Sequence, residues 1–174
     1  MVRISTINTL ETLHNKNITC KACSLRKGCI QVVPGIGDER STIMIVGEAP
    51  GQDEDQQGEP FVGRSGKFLD ACLREVGLDR NGVYITNTVC CRPPKNRTPE
   101  QTEIDTCKIW LWKKIQTIKP KVIVTLGVTP LALLLKADRK KIKISNLVTQ
   151  AEFVSYLDST LIVCYHPSYY LRKP

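Results

Sequence analysis

Apolar positions along the chain form short continuous runs separated by stripes of helical period. Ile43-Met44-Ile45-Val46 is an apolar run closed by Gly47, as expected of a strand buried on both faces. Val83 to Thr86, Val122 to Leu126 and Leu161 to Cys164 repeat that pattern. Between the runs the spacing becomes helical. Phe68, Leu69, Cys72, Leu73 and Val76 make one apolar face, with Ser65 as its N-cap and Gly77 as its stop. Thr98-Pro99-Glu100-Gln101 reads as a helix start. There Thr98 caps, Pro99 takes the first helical position and Gln101 completes a capping box. Ile104, Cys107, Leu111, Ile115 and Ile118 continue that helix, and another runs from Pro130 through Leu135. Residues 3–17 suit a short amphipathic helix through Ile4, Ile7, Leu10 and Leu13, and Asp138 to Lys143 reads as a basic connection.

Strands alternating with helices predict a parallel sheet covered on both faces, an α/β domain of three layers. The 174 residues suit one domain, with an N-terminal cysteine-bearing segment over about residues 1–34. Ligands of such sheets bind beyond the carboxyl ends of the strands. The three most unusual segments lie there, beginning at Gly47, Asn87 and His166. Gly47 to Gly66 holds five glycines and two prolines among many carboxylates, which marks a long functional loop.

Composition narrows the partners. The net charge of +8 fits either a solvated basic surface or a polyanion, above all nucleic acid. Residues 1–15 lack the continuous apolar core of a signal peptide. Val122 to Leu135, interrupted by Thr125, Gly127, Thr129 and Pro130, is too short to span a bilayer. An intracellular, cytoplasmic protein without a membrane partner is expected.

The eight cysteines are hard to reconcile with that compartment as a disulfide framework. Cys20-Lys21-Ala22-Cys23 is a C-x-x-C pair, a weak signal alone. With Cys91 and Cys107 it could make a four-thiolate site, which zinc and an iron–sulfur cluster both accept. Spacing leaves the metal open, and buried thiols without metal are a further reading. Cys72 and Cys164 fall on apolar faces and are assigned to the core. Cys29 and Cys90 are extra loop thiols, Cys90 competing with Cys91.

Several segments together resemble the family 4 uracil-DNA glycosylases. They are Gly47-Glu48-Ala49-Pro50-Gly51, Glu54-Asp55, and Pro60-Phe61-Val62-Gly63-Arg64-Ser65-Gly66. Tyr84-Ile85-Thr86-Asn87, Cys91-Arg92-Pro93-Pro94, Asn96-Arg97, and His166-Pro167-Ser168 with Leu171-Arg172 complete the match. The resemblance runs from about Cys20 to Arg172, in order and in spacing. It implies a central four-stranded parallel sheet flanked by helices, and a [4Fe–4S] cluster on Cys20, Cys23, Cys91 and Cys107. It also implies a monofunctional hydrolase of base-excision repair in a prokaryotic cell. That enzyme flips uracil out of single- or double-stranded DNA and leaves an abasic site. A monomer is expected, with a replication clamp as a candidate partner.

The resemblance assigns roles residue by residue. Gly47, Glu48 and Ala49 form the loop that meets the base, Phe61 stacks on it, and Asn87 reads uracil through its carboxamide. Uracil offers an N3–H donor and an O4 acceptor, a pattern cytosine reverses. His166 donates to uracil O2, where charge gathers as the bond breaks. Glu48, with Glu54 assisting, positions water or stabilises the cationic sugar. Arg64, Arg92, Arg97 and Arg172 are expected on phosphates, and Leu171 as a wedge in the duplex. Two competing readings are a glycosylase of broader deaminated-base specificity and a non-catalytic iron–sulfur module that binds nucleic acid.

Overall fold

The computed structural model describes residues 9–149 and 153–172. Ile4 and Ile7 of the expected first helix lie outside them. The remainder of that helix is α1, Leu10–Ile18, capped by Thr9. In chain order follow β1 (Ile43–Gly47), α2 (Gln52–Gln57), α3 (Arg64–Glu75), β2 (Tyr84–Asn87) and α4 (Gln101–Ile118). Then come β3 (Val122–Leu126), α5 (Val128–Leu135), α6 (Ile144–Thr149), β4 (Phe153–Tyr156), β5 (Ser159–Cys164) and α7 (Pro167–Arg172).

The sheet runs β2-β1-β3-β5-β4, with the first four strands parallel. It has five strands where four were expected. The addition is β4, an edge strand antiparallel to β5. The two are joined at Leu157-Asp158, with Leu157 at φ +51°. Edge strands need no apolar run on both faces, so β4 carries no such signature.

Side chains of β1 alternate between two cores. Met44 and Val46 meet Leu10, Leu111, Ile115 and Leu131, under α1, α4 and α5. Ile45 faces the other way, onto Phe61, Leu69 and Leu73. Helices thus cover both faces, and the chain reverses direction across the sheet between β1 and β3. That reversal opens a crevice at the carboxyl ends.

Several predicted boundaries move. The N-cap of α3 is Gly63, two residues before Ser65. On that helix Cys72 and Val76 are exposed, so neither belongs to the core. Helix α4 starts at Gln101 with Glu100 as N-cap, not Thr98. The cause is Glu103, whose carboxylate accepts the Glu100 N–H at 2.8 Å. The Gly47–Gly66 loop contains α2, and the basic connection contains a 3₁₀ turn at Arg139–Lys141. Among the described residues, no helix is long and apolar enough to cross a membrane.

Candidate active site

The four parallel strands deliver their carboxyl ends to one cavity of about 530 Å³. Glu48 and Ala49 enter from β1, Asn87 from β2, Leu126 and Gly127 from β3, and His166 from β5, while Phe61 forms part of the wall. A recess of about 630 Å³ lies elsewhere, among Ile104, Lys108, Trp112 and Leu133 of α4 and α5. It holds no histidine or asparagine. The strand-end cavity instead combines a histidine, Asn87 and two glutamates.

Glycines behind its wall set its shape. Gly47 pairs with Asn87 across β1 and β2. A Cβ there would collide with the Asn87 carboxamide oxygen and lie 2.5 Å from Phe61 Cζ. Gly47 itself does not line the cavity. Its missing side chain makes room for Phe61 and Asn87 to converge. Gly66 of α3 does the same for the Phe61 carbonyl. Phe61 adopts φ +54°, a left-handed conformation that costs a non-glycine residue about 1 kcal/mol or more. Arg80 holds it there. Its guanidinium donates to Pro60 O at 2.6 Å, Phe61 O at 2.9 Å and Asp70 Oδ1 at 2.9 Å.

Asn87 is 2% exposed, and its Oδ1 has no hydrogen-bond partner among the described residues. A buried acceptor without a donor costs about 1–3 kcal/mol, which a ligand N–H would recover.

His166 has a defined tautomer. The Ser168 backbone N–H can only donate, and it points at Nδ1 at 3.2 Å, with Ser168 Oγ 2.9 Å away. Nδ1 is therefore the acceptor, and the neutral ring carries its proton on Nε2. Burial lowers the His166 pKa, Arg172 adds to that, and Glu48 and Glu54 oppose it. The ring lies 5.9 Å from that of Phe61, tilted by 34°.

The two carboxylates differ. Glu48 Oε2 accepts from the Thr129 hydroxyl at 2.5 Å, Thr129 being buried near the start of α5. Glu54 instead accepts three backbone N–H groups: Gly51 at 3.0 Å, and Val62 and Gly63 both at 2.9 Å. It braces the loop that carries Phe61. Together the site offers an unpaired acceptor, a neutral ring donor and an anchored carboxylate around an aromatic wall.

Residues 34–174 match the family model described as the uracil DNA glycosylase superfamily. A type-4 uracil-DNA glycosylase of Archaeoglobus fulgidus is 46% identical over 70% of this chain and 61% of its own length. Type-4 uracil-DNA glycosylases of Sulfurisphaera tokodaii and Thermotoga maritima are 40% and 41% identical, over 97% and 94% of this chain. The aligned regions cover 78% and 84% of those two proteins. The chain belongs to the type-4 uracil-DNA glycosylases.

In this type-4 family member the four expected thiols are neighbours. Cys20, Cys23, Cys91 and Cys107 line one recess of about 10 Å³, together with Cys90, Asn17 and Trp110. The Trp110 indole N–H donates to Cys20 Sγ at 3.4 Å, and the Cys90 backbone N–H to Cys107 Sγ at 3.4 Å. N–H groups of this kind support cluster thiolates. Among the described residues, no three His, Cys, Asp or Glu side chains converge tightly enough to hold a single metal ion. Burial raises the Cys91 pKa, with Cys29 and Cys90 close by, and Cys107 is raised by Cys90 and by burial. Cys90 itself is pushed down to about 6 by Cys107, against burial, with help from Lys114.

The expected DNA contacts are distributed around the cavity. Arg97 and Arg172 line it. Arg64 is exposed at the first turn of α3, and Leu171 is half-buried on α7. Arg92 donates to Asn96 Oδ1 at 2.7 Å. Arg97 makes a two-pronged pair with Glu103, at 2.7 and 2.8 Å.

Sequence reasoning missed the residues that hold others in place. Arg80, Thr129 and Glu103 are ordinary polar types without motif value, and Ser168 was read only as part of its motif, not as the partner of His166 Nδ1. Lys114 had a signal: it falls three residues after Leu111, on the apolar stripe of α4. It is fully buried, and its ammonium donates to Thr86 Oγ1 at 3.2 Å and Cys90 Sγ at 3.5 Å.

Proposed function

We propose that this chain excises uracil from single- or double-stranded DNA by hydrolysing the N-glycosidic bond, leaving an abasic site for repair. The observation that carries the reading is Asn87 Oδ1, buried on the cavity wall and unpaired among the described residues. Uracil N3–H donates to that oxygen, and the carboxamide N–H donates to uracil O4. Cytosine would set its N3 lone pair against Oδ1 and its amino group against the carboxamide N–H, so it is rejected.

Flipping brings the base between these groups, against Phe61. The C1′–N1 bond breaks with its electron pair leaving on uracil, and charge collects on O2. His166 Nε2–H donates to O2, an interaction stronger in the transition state than before it. Glu48, anchored by Thr129, faces the oxocarbenium-like sugar and orients the water whose oxygen attacks C1′. Glu54 is a positioning residue, since its oxygens are committed to the loop backbone. Gly47 and Ala49 keep that loop close to the base. Arg64, Arg92, Arg97 and Arg172 contact phosphates, and Leu171 fills the space the base vacates.

Cys20, Cys23, Cys91 and Cys107 would hold a [4Fe–4S] cluster, whose contribution is to tie the N-terminal segment to α4 and the loop after β2. The fit rests on donor chemistry: thiols gathered in one recess, with N–H groups aimed at two of the sulfurs.

The test is incubation with uracil-containing oligonucleotides, single- and double-stranded, followed by alkaline cleavage. Abasic product from uracil, and none from matched cytosine controls, is expected. No product under any condition overturns the enzymatic reading. The purified protein should be brown, with iron and sulfide in equal amounts. A colourless, zinc-loaded protein of full activity overturns the cluster.

A further inference from the structure

Helices α3 and α7 meet along an aromatic seam that the cleavage chemistry does not use. Tyr170 is 45% exposed, and its ring stacks on that of Phe68, with centroids 5.6 Å apart and planes 19° from parallel. Tyr165 and Tyr169 stack at 4.4 Å and 11°. Tyr170 stands edge-on to both, at 89° and 88°. The result is a cluster of four rings joined through Tyr170, which still keeps nearly half of its surface in solvent. One exposed tyrosine is ordinary, but rings clustered at the surface beside a cavity mark a contact surface.

Placement narrows the partner. Ser65 on α3 and Ser168 and Arg172 on α7 line the uracil cavity. Phe68 follows Ser65 by one helical turn, about 5 Å along α3. The cluster therefore continues outward from the cavity between the same two helices. Arg64 and Lys67, both exposed, sit on the same side of α3 at its cavity end. Glu75 lies at the far end of that helix, away from the cavity. Cations beside an exposed ring stack are the arrangement that holds unpaired bases, the rings taking the base face and the cations the phosphates. A paired base keeps its faces inside the duplex and offers none to Tyr170.

We propose that Tyr170, supported by Phe68, is a stacking site for an unpaired base next to the flipped uracil, favouring single-stranded DNA. This rests on the uracil-excision reading and adds a substrate form to it. Arg64 and Lys67 take the phosphates of that neighbouring nucleotide.

The test compares Tyr170→Leu with wild type and with Tyr170→Phe. Leucine keeps apolar packing on Phe68 and removes the aromatic face, and phenylalanine keeps both. kcat/KM is measured on matched uracil oligonucleotides, single-stranded and fully paired. Affinity for uracil-free single strands is read by fluorescence anisotropy. Stacking of one base predicts about a tenfold loss for Tyr170→Leu on single strands, in both kcat/KM and affinity. On duplex the loss should be under threefold, and Tyr170→Phe should restore the single-strand values. Equal losses on both substrates, or no loss on single strands, overturn the proposal. If wild type releases no uracil at all, the excision reading fails. The uracil-free affinities still decide the stacking site, and unchanged affinity in Tyr170→Leu rejects it.

Discussion

The strand-end cavity and the thiol recess are built on opposite plans. In the cavity the central acceptor, Asn87 Oδ1, is buried with nothing bonded to it among the described residues. In the recess the sulfurs already have neighbours: Trp110 on Cys20, the Cys90 N–H on Cys107, and Lys114 on Cys90. The cavity is pre-shaped by backbone, through Gly47, Gly66 and the Arg80 clamp on Phe61. The recess is shaped by side chains packed on each other. A site that must distinguish two similar bases gains from fixed, unsatisfied groups. A site that only ties segments together needs side chains that can share a ligand. One ion pair joins the two. Glu103 binds Arg97 on the cavity side and Ser24 beside Cys23 on the other, at 3.0 Å.

The largest expected effects lie in the cavity. Asn87→Ala and His166→Ala should each lower the single-turnover rate about 10²- to 10³-fold, the usual cost of losing a donor or acceptor aimed at developing charge. DNA affinity should fall far less, because phosphate contacts supply most of it. Equal losses in rate and affinity would break the contrast, because they would mean that these residues merely hold the fold. Iron content should be unaffected in both variants.

Legibility in the sequence follows the same division. The four parallel strands were readable because each is a short apolar run, and Glu48, Asn87 and His166 because each lies at the end of one or within two residues of it. The carboxyl-end rule then placed them together before any distance was known. Strand β4 was invisible, being short and at an edge. The start of α4 was misplaced because Thr98-Pro99 satisfies local capping rules. Glu103 overrides them by gathering Arg97, Ser24 and the Glu100 N–H, partners up to 79 positions away. Arg80 acts 19 and 20 residues from its acceptors Phe61 and Pro60. No periodicity encodes such a clamp, since it exists only once α3 and the loop are docked. Cys72 followed the apolar stripe and still emerged exposed.

The link between the two regions should respond next. Glu103 is held down to about 2, first by Arg97 and then by the Glu100 N–H and Ser24, against burial. A carboxyl depressed in the folded state stabilises above its ordinary value of 4.5. That contribution is lost as pH falls from there toward 2. Glu103→Gln removes it at neutral pH and should cost about 2 kcal/mol, Arg97 being partly open to solvent. Chemical denaturation checks this, and the wild-type advantage should shrink steadily below pH 4.5. If the ion pair transmits between regions, the variant also loses iron faster to a chelator. A loss of stability without faster iron release would show that the two regions are independent.

The smallest effect expected is a displaced pH limb, and it tests whether the cavity is pre-set as argued. His166 must be neutral for Nδ1 to accept the Ser168 N–H while Nε2 donates to the base. Protonation would put a hydrogen on Nδ1 facing another donor. Burial lowers the His166 pKa from its ordinary 6.5, Arg172 in the same direction and Glu48 against it. The neutral form therefore persists below pH 6.5, and kcat/KM should fall only at more acid pH. Arg172→Gln removes one of the charges that favour the neutral ring and should move the limb upward, by a fraction of a pH unit. The measurement is a pH–rate profile on single-stranded substrate, where weakened phosphate contact alone lowers kcat/KM at every pH without moving the limb. A limb at or above 6.5 in wild type would mean that the imidazolium is not excluded, and that the ring is no more pre-set than the thiols opposite it.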